Sequence, residues 1–350
     1  MYLAALSLQN FRNYRKRSFG LSENTSLFVG GNAIGKTNIL EAIYMLATGR
    51  SFRATREQQM ILYGQELGRV VGEVGEDKLE IRLTVGEVQG ERAARKRYLI
   101  NGLAKRKMDF VGRLKCVLFR PEDIELALGS PLIRREYLDG VLEQVDREYR
   151  RSNLSYQKGL RQRNKLLERI REGEGERRQL LFWNRLLIKN GEIVSEKRRG
   201  FLERVNSELK EKGLELRLEY DRSVISEARL SQYAEAEVGA AKTLVGPHRD
   251  DFGFISQRQG KVEKDLGIYG SRGEQRMAVL AVKLAELEFV KEKTESKPVL
   301  LLDDIFSELD HEHRDEVLGL LEKQQTVVTT TDEHLIPSKY KKKVEMVRLG

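Results

Sequence analysis

The sequence predicts an α/β fold that contains an antiparallel β subdomain and is interrupted by an inserted helical lobe. Three observations predict this class. An apolar run at 27–29 leads into a glycine-rich loop and then into a helical apolar pattern. A second apolar run, at 299–302, ends in a pair of aspartates, which is typical of a strand buried in a parallel sheet. Between them, residues 131–210 carry the spacing of long amphipathic helices.

The composition is that of a globular protein with room for two or three domains. The chain has 350 residues, of which 40% are hydrophobic and 33% charged, and its formal net charge is +9. No run of about 18 apolar residues occurs, which argues against a membrane-spanning helix. The first residues alternate like a strand and lack the features of a signal peptide. The single cysteine, Cys116, cannot form an internal disulfide, so we expect a cytoplasmic protein.

The first 120 residues mix strand and helix patterns. The strongest local signal is Asn101-Gly102, which supplies the positive φ angles of a hairpin turn between 94–100 and 103–108. The helix after the glycine-rich loop is predicted to end before Gly49, since glycine commonly terminates helices. The other predicted strands are 2–8, 24–29, 67–74, 78–85 and 114–119.

The middle of the chain is predicted to form a helical arm. Apolar stripes recur before and after a break at Gly173 and Gly175, so two long helices should pack side by side and run antiparallel. A solvated outer face is the simplest interpretation of the charges on this arm. The cations expected on the outer faces are Arg150, Arg151, Lys158, Arg161, Arg163, Lys165 and Arg169.

The return of α/β patterns after the arm sets the predicted domain boundaries. A strand at 214–220 and a polar helix at 226–238 are followed by alternating elements at 252–256, 273–292, 298–302, 311–323 and 326–330. We therefore expect residues 1–121 and 241–350 to form one split α/β lobe, and residues 122–240 to form the inserted helical lobe.

The glycine-rich loop has the chemistry of a phosphate site. Gly30, four intervening residues and Gly35-Lys36-Thr37 form a complete phosphate-loop pattern between a strand and a helix. Glycines let backbone N–H groups turn toward phosphate oxygens, Lys36 reaches the β- and γ-phosphates, and the Thr37 hydroxyl is a ligand for Mg²⁺. The residues predicted to bind the nucleotide here are Gly30, Gly31, Asn32, Ala33, Ile34, Gly35, Lys36, Thr37 and Asn38.

Asp303 and Asp304 complete the predicted site from the other end of the chain. Asp303, at the carboxyl end of the apolar strand, would bind Mg²⁺ directly or through water. Asp304 would orient or deprotonate an attacking water. Because Lys36 and Asp303 lie much further apart than one βαβ unit requires, an insertion has to split the nucleotide domain.

A cluster of cations around the predicted hairpin points to a polyanionic partner. Residues 92–107 contain no acidic residue. Nucleic acid is the natural partner of such a stretch, but a hairpin kept soluble by lysine and arginine has the same composition. The residues predicted to contact DNA are Arg95, Lys96, Arg97, Lys105, Arg106 and Lys107.

Further motifs accompany the loop and the aspartates. They are Leu8-Gln-Asn-Phe-Arg-Asn-Tyr14, Phe119-Arg-Pro-Glu-Asp123, Arg134-Arg135, Gln162-Arg-Asn164, Gly246-Pro-His-Arg-Asp-Asp251, Ser271-Arg-Gly-Glu-Gln275, Ser307-Glu-Leu-Asp310 and Thr329-Thr-Thr331. Five segments occur in the order of an ABC-type ATPase and resemble its Walker A, signature, Walker B, D-loop and switch motifs: Gly30 to Thr37, Ser271 to Gln275, the strand ending in Asp303-Asp304, Ser307 to Asp310, and Thr329 to Thr331. The other motifs resemble those of the SMC-like branch of this superfamily. The resemblance is strongest to the RecF family of recombination mediators, and it extends over almost the whole chain.

The resemblance implies an ABC/SMC-like ATPase head that binds ATP with Mg²⁺, forms an ATP-dependent homodimer and binds DNA. It also implies weak, DNA-stimulated ATP hydrolysis with Asp304 as the catalytic residue. The family's partners would be RecR and RecO, which cooperate in loading RecA on single-stranded or gapped DNA, in maintaining replication forks and in the SOS response. Arg12 and Asn13 match a pair that contacts the nucleotide in SMC-like relatives.

The signature explains why the resemblance implies a dimer. Ser271, Arg272 and Gly273 match the segment whose helix N-terminus faces the γ-phosphate of a second subunit, so that ATP would bridge two copies. A simple helix cap is the other interpretation of Ser271. The signature lacks the glycine pair of transporter-type relatives, and Asp304 replaces their longer glutamate, so we expect slow turnover.

Two other functions fit parts of the sequence. An ATPase subunit of a transporter needs a membrane partner and usually has a short helical insertion, so the long arm and the basic hairpin argue against it. A structural SMC protein needs hundreds of heptad residues, which this arm does not supply. His248 is either a functional residue or a packed loop histidine, and the sequence does not distinguish the two.

Overall fold

The structure, a computed structural model, describes residues 2–257, 262–307, 311–321, 323–332 and 344–350. Its contacts divide the chain into two compact units. The split unit consists of Met1–Asp123 and Val290–Gly350, and the inserted unit consists of Ile124–Phe289. Each unit has a hydrophobic core of its own.

Both units contain strands and helices. The strands are β1 (Leu3–Phe11), β2 (Tyr14–Gly20), β3 (Thr25–Val29), β4 (Leu67–Val74), β5 (Asp77–Thr84), β6 (Glu87–Val88), β7 (Glu91–Arg92), β8 (Lys96–Ile100), β9 (Leu103–Lys105), β10 (Cys116–Phe119), β11 (Leu216–Asp221), β12 (Asp251–Ser256), β13 (Lys264–Asp265), β14 (Val299–Asp303), β15 (Thr326–Thr330) and β16 (Val344–Arg348). The helices are α1 (Lys36–Thr48), α2 (Lys107–Phe110), α3 (Glu125–Leu128), α4 (Pro131–Val145), α5 (Arg147–Arg171), α6 (Leu180–Glu211), α7 (Glu227–Gln232), α8 (Ala234–Ala240), α9 (Leu266–Tyr269), α10 (Arg272–Thr294) and α11 (His311–Leu318).

The split unit contains a parallel sheet, a six-stranded antiparallel sheet and the two-stranded antiparallel sheet β6-β7. The parallel sheet has the strand order β10-β14-β15-β3-β16, and the six-stranded antiparallel sheet has the order β2-β1-β4-β5-β8-β9. Strand β14 is buried along its whole length, as expected for a central strand of a parallel sheet. The predicted hairpin is confirmed, because Asn101 (φ 52°) and Gly102 (φ 80°) turn the chain between β8 and β9.

Helix α1 packs between the parallel sheet and the six-stranded antiparallel sheet. It contacts β1, β4 and β5 of the antiparallel sheet and β10, β14 and β15 of the parallel sheet. Ile39, Ile43 and Leu46 are fully buried in this layer, and burying one such side chain contributes about 1.5–3 kcal/mol. The helix ends at Gly49, whose φ of 71° suits glycine and whose N–H donates to Met45 O at 2.8 Å. This packing fixes the N-terminal end of α1, where the glycine-rich loop enters.

The inserted unit is built on the helices α4, α5 and α6 and on the sheet β11-β12-β13. Helices α5 and α6 pack against each other, as predicted for the arm, and Tyr156, Leu160 and Leu187 belong to their core. Among the described residues, no helix is long and apolar enough to cross a bilayer.

Two arginines are buried inside this unit. Arg163, which we expected on an outer face, is only 2% exposed and pairs with Glu237 at 2.6 Å. The prediction was wrong because position 163 lies on the same face of α5 as its apolar stripe. Arg198 contacts Asp139 at 2.8 Å and Asp250 at 3.2 Å. Removing one partner of a buried pair typically costs 3–5 kcal/mol, so these contacts fix the helices relative to the loop that contains Asp250.

His248 is packed into the same unit. Its Nε2 lies 2.9 Å from Thr243 O, and its Nδ1 lies 2.8 Å from the Tyr156 hydroxyl. A carbonyl only accepts, so Nε2 carries the proton and Nδ1 accepts from Tyr156. Burial lowers the pKa of His248 to about 4, which keeps the ring neutral. This geometry favours the packed loop histidine of the two interpretations.

The second domain boundary differs from the prediction. The first unit ends at Asp123, close to the expected residue 121, but residues 241–289 belong to the inserted unit rather than to the split one. The reason is that β12 pairs with β11 over six residues, which ties the chain after 241 to the inserted sheet. Sequence patterns predict strands but do not say which sheet a strand joins.

Candidate nucleotide site

The glycine-rich loop connects β3 to α1 through a backbone that needs glycine. Gly35 has a φ of 113°. A Cβ on Gly35 would lie 2.7 Å from the Asn13 amide and 2.9 Å from the Tyr14 hydroxyl. No larger residue fits there without moving these groups. The loop is therefore held close to the segment that joins β1 to β2.

The N-terminus of α1 is available to an anion. No side chain caps it, and its first turn contains no acidic residue. Lys36 folds back over the loop, where its Nζ donates to Gly30 O at 2.7 Å and to Gly31 O at 2.9 Å. A phosphate group would replace these two carbonyls as the acceptor for Lys36. A cation and a free helix N-terminus at one place are the usual components of a phosphate site.

Asp303 meets the loop helix at the carboxyl end of β14. The Thr37 hydroxyl donates to Asp303 Oδ1 at 3.0 Å, and the Thr329 hydroxyl donates to the same oxygen at 2.6 Å. The parallel register sets Asp303 opposite Thr329. Two ligands at neighbouring positions of octahedral Mg²⁺ lie about 2.9 Å apart, so the Thr37 and Asp303 oxygens fit this ion. The fold thus joins residues 266 positions apart.

Asp303 and its neighbour differ in environment. Burial raises the pKa of Asp303 above its ordinary value, and the hydrogen bonds from Thr329 and Thr37 oppose this rise. A bound divalent cation would favour the ionised carboxylate. Asp304 leaves the strand with a φ of 48° and donates its N–H to Thr329 O at 3.1 Å. This turn places Asp304 at the same edge of the sheet as Asp303.

Arg12 and Asn13 lie beside the loop, but they make different contacts. Asn13 Nδ2 donates to Ile34 O at 2.9 Å, and Asn38 Nδ2 donates to Asn13 Oδ1 at 2.6 Å. The Arg12 guanidinium instead forms an ion pair with the buried Glu41 of α1. Of this pair, Asn13 therefore contacts the loop directly, whereas Arg12 anchors the helix behind it.

Glu41 is the centre of an ionic cluster that the sequence analysis missed. Arg53 pairs with it at 2.8 Å and also hydrogen-bonds the Asn38 side chain. Burial raises the pKa of Glu41, but hydrogen bonds from Arg12, Arg53 and Ser51 outweigh this effect and hold the pKa below its ordinary value. A glutamate within the apolar face of α1 was the available signal, since a buried carboxylate needs cationic partners.

The predicted signature lies at the start of α10, in the inserted unit. Ser271, Arg272 and Gly273 are all exposed. Ser271 caps the helix, because its hydroxyl accepts from Glu274 N–H at 3.3 Å while the Glu274 carboxylate accepts from Ser271 N–H at 2.8 Å. Hydrogen bonds from Ser271 and Lys264 lower the pKa of Glu274 to about 2. The cap interpretation is therefore satisfied, and the exposed positions remain accessible to another molecule.

The predicted DNA-contacting cations do not form one patch. Lys96 is largely buried, where it donates to Gly49 O at 3.0 Å and pairs with Glu57 at 2.6 Å. Burial lowers the pKa of Lys96, and Glu57 opposes this change. This packing does not favour a place for Lys96 on a DNA surface, because side chains alternate along a strand and Lys96 points toward α1. Arg97 points to the opposite face and is exposed.

The rest of the cluster is divided in the same way. Lys105 of the edge strand β9 lies opposite Tyr98 of β8 in the strand register. The Tyr98 hydroxyl donates to Gly49 O, as Lys96 does, so Lys105 lies on the α1 side of the sheet. Arg95 and Arg106 are exposed, and Lys107 is half-buried at the start of α2. Basic residues that are adjacent in the sequence of the hairpin therefore lie on different faces of the sheet.

A basic row crosses the outer face of the antiparallel sheet, and the sequence analysis missed it. The register aligns Lys16 of β2, Arg69 of β4, Arg82 of β5 and Arg97 of β8, with Gln9 of β1 between the first two. Neighbouring members stand on adjacent strands about 4.8 Å apart. The alternating polarity of each strand indicates that these cations share a solvent-facing side. The register that aligns the cations of different strands is visible only in the fold.

An acidic residue, Glu80, lies beside this row, two residues before Arg82 on β5. Glu80 accepts hydrogen bonds from Arg69 at 2.8 Å, and Arg82 pairs with it at 2.5 Å. Lys16 and Arg97, at the two ends, have no acidic partner in the described part of the chain. The row therefore keeps a net positive charge on an open face. Three residues of the predicted D-loop motif Ser307-Glu-Leu-Asp310 lie outside the described residues, namely Glu308, Leu309 and Asp310.

Comparison with known proteins assigns the chain to a family. The sequence matches the RecF/RecN/SMC N terminal domain over residues 2–348. It is 38% identical to a DNA replication and repair protein RecF of Moorella thermoacetica, an alignment that covers 96% of this chain and 92% of the relative. The chain belongs to the RecF family. Another member, from Herpetosiphon aurantiacus, is 37% identical and covers 95% of this chain and 94% of its own.

Solved structures agree with the family assignment. A structure of the recombination mediator protein RecF-ATP in the RecFOR pathway superposes with a TM-score of 0.86 at 32% identity, covering 96% of this chain and 93% of that one. The Smc head of Pyrococcus furiosus shares the fold at a TM-score of 0.50 and 17% identity. The predicted fold class, an ABC/SMC-like ATPase head with an antiparallel β subdomain, is confirmed for this RecF-family chain.

Proposed function

We propose that this RecF-family chain is an ATP-dependent DNA-binding protein of recombinational repair. Its relatives are DNA replication and repair proteins, and the similar solved structures are of a recombination mediator with ATP. The observation that carries the proposal is the contact between Thr37 and Asp303, because it unites a phosphate loop and a metal-binding carboxylate from opposite ends of the chain. The transporter alternative is not favoured.

The nucleotide site supports binding of ATP with Mg²⁺. Lys36 and the N-terminus of α1 would bind the β- and γ-phosphates, and the Thr37 and Asp303 oxygens would hold the ion. Asn13 contacts the loop from the side, which suits a role in shaping the nucleotide pocket. Asp304 would orient the attacking water, and its short side chain suits a weak, DNA-stimulated ATPase that acts as a switch.

The exposed signature supports an ATP-bridged homodimer. Ser271, Arg272 and Gly273 are exposed to solvent at the N-terminus of a long helix. A second subunit's helix end, aimed at the γ-phosphate, would favour the closed dimer only while the triphosphate is intact. Hydrolysis would then release the dimer.

The basic row supports DNA binding on the outer face of the antiparallel sheet. Phosphate contacts from Lys16, Arg82 and Arg97 would dominate affinity and make it salt-dependent. By family resemblance, RecR and RecO are the proposed partners, and the proposed roles are RecA loading at single-stranded or gapped DNA, fork maintenance and SOS induction. The cytoplasm is the compartment that these roles require.

A mixing experiment tests the composite site. Lys36→Ala removes ATP binding but leaves the signature intact. Gly273→Glu leaves the loop intact but places a negative charge where the partner's γ-phosphate would lie. A Cβ at Gly273 meets nothing within 4 Å, and an acid near a helix N-terminus favours the helix, so this variant should fold normally. Each variant alone should stay monomeric with ATP, and the mixture should form heterodimers with one complete site.

The readout is the molecular mass by light scattering, with ATP and Mg²⁺ present. Asp304→Asn serves as the positive control, because slower hydrolysis should accumulate the dimer. A mixture that stays at the 40.3 kDa mass of one chain, while Asp304→Asn dimerises, would exclude a signature that acts on the partner's nucleotide. If Asp304→Asn also stays monomeric, the ATP bridge itself is wrong.

A further inference from the structure

The helical arm contains an open groove that the nucleotide site does not use. The groove lies between α5 and α6 within the inserted unit and has a volume of about 650 Å³. Lys158, Arg161 and Gln162 line it from α5, and Phe182, Trp183 and Leu186 line it from α6. One wall is thus basic and polar, and the other is aromatic.

The aromatic wall includes large apolar side chains that are exposed to solvent. Phe182 is 64% exposed and Leu181, its neighbour, is 59% exposed. Trp183 meets the Phe182 ring edge-to-face, with centroids 4.9 Å apart. An exposed Phe182 between the exposed Leu181 and the half-buried Trp183 forms an apolar patch that is unusual on a surface that contacts only water. Trp183 is also the only tryptophan of the chain.

The basic wall has no acidic counterpart. Lys158 and Arg161 are exposed, as is Lys165 one turn further along α5. These three have no ion-pair partner among the described residues, and no acidic residue lines the groove. With a helical rise of 1.5 Å per residue, they follow the axis of α5 at steps of about 4.5 and 6 Å. The wall therefore offers a line of unpaired positive charges.

Gly159 explains why the groove has a closed floor. A Cβ at this position would lie 2.5 Å from Leu186 Cδ2, so α5 and α6 approach each other closely at the base of the groove. The close approach brings the cations of α5 and the aromatic rings of α6 to the two sides of one cleft. A flat apolar surface with separate cations would not have this form.

We propose that this groove binds a single strand of nucleic acid, with bases stacked on Phe182 and Trp183 and phosphates on Lys158 and Arg161. Aromatic platforms beside a basic track are the common way of binding single strands, and stacking is worth about 1–3 kcal/mol per base. A duplex hides its base faces and would use the cations alone. An acidic peptide is the competing occupant. The inference rests on the proposed function as a DNA-binding protein and adds a second site on the arm.

Trp183 is a built-in probe for this site. With selective excitation of tryptophan, oligothymidylate should quench its emission in a saturable way, and a duplex of the same length should not. Lys158→Ser/Arg161→Ser should weaken the affinity measured by quenching at least about fivefold, and Phe182→Ala should weaken it by a similar or larger factor. Lys189→Ser/Lys210→Ser is the matched control, because it removes two positive charges from α6 outside the groove and should leave the affinity unchanged. Melting curves establish that each variant is folded.

A parallel titration separates this proposal from the proposed function. Anisotropy of a labelled oligothymidylate and of a labelled duplex reports binding anywhere on the protein. Binding without any change in Trp183 emission overturns the groove proposal and leaves the DNA-binding function intact. Emission changes with an acidic peptide, but not with oligothymidylate, also overturn it in favour of a protein partner. If neither labelled DNA binds with or without ATP, the proposed function fails together with the groove proposal.

Discussion

The nucleotide site and the hairpin of β8 and β9 both depend on lysine side chains, but they arrange them differently. At the nucleotide site, Lys36, Thr37 and Asp303 converge because a loop, a helix and a parallel strand end at one edge of the sheet. In the hairpin, Lys96 and Arg97 are adjacent in the chain and point to opposite faces. Backbone segments that meet at one edge of a sheet bring their functional side chains together. An extended strand instead directs neighbouring charged side chains to opposite faces, one packed against the protein and one in solvent.

The largest expected effect is on ATP affinity, and it distinguishes Lys36 from Lys96. Both lysines donate to backbone carbonyls, but only Lys36 lies in the phosphate loop. Lys36→Ala should lower ATP affinity by about 100-fold or more, which corresponds to about 2.7 kcal/mol, because the phosphates lose a charged hydrogen-bond donor. Lys96→Met should leave ATP affinity unchanged. Titration with a fluorescent ATP analogue and Mg²⁺ measures both, and near-normal affinity of Lys36→Ala would refute the phosphate-loop assignment.

A smaller effect distinguishes the two faces of the antiparallel sheet. Lys16→Ser/Arg97→Ser removes both ends of the basic row and should weaken duplex binding by about tenfold, while the salt slope falls by about 1.8. Lys96→Ser/Lys105→Ser makes the same charge change on the other face and should leave the slope unchanged. Binding curves at several salt concentrations measure this difference. Equal slopes for the two double variants would place the DNA elsewhere.

The smallest expected effect concerns the stability of the nucleotide-free protein. Because burial raises the pKa of Asp303 above its ordinary value of 3.8, the unfolded chain ionises more readily than the folded one. The charged carboxylate therefore costs stability at pH values above the raised pKa, and this cost disappears as the pH falls below 3.8. Asp303→Asn should raise the melting temperature at neutral pH by about 1–2 °C.

The same variant should lose the stabilisation that ATP and Mg²⁺ give the wild type, because binding to the folded state raises its apparent stability. Thr329→Val is a useful companion, since it removes one hydrogen bond to Asp303 without removing the carboxylate. A lower melting temperature of Asp303→Asn at neutral pH, relative to wild type, would contradict the unfavourable burial of this charge.

The sequence predicts the fold class correctly, and it names Thr37 and Asp303, which the structure brings into contact, because both predictions depend on short patterns with strict chemistry. Nucleotide binding at this site stays a prediction. Gly35, Lys36 and Thr37 have fixed spacing, and Asp303 ends an apolar run. The basic row depends on the register between four strands, which no local pattern encodes. The same limit explains Lys96 and Arg163, whose burial depends on which face of an element meets the core. The contacts divide the chain after residue 289 and not after residue 240, because β12 pairs with β11, and this pairing is a long-range contact that no local pattern encodes.

The most direct test of the account is sedimentation of the wild-type protein with a labelled gapped duplex, with and without ATP and Mg²⁺. We predict that with ATP the DNA sediments with a protein species of twice the 40.3 kDa chain mass, and that without nucleotide, or with Lys36→Ala, little DNA is bound. Equal binding of DNA by the monomer in the presence and absence of ATP would contradict the claim that the nucleotide site controls closure on DNA.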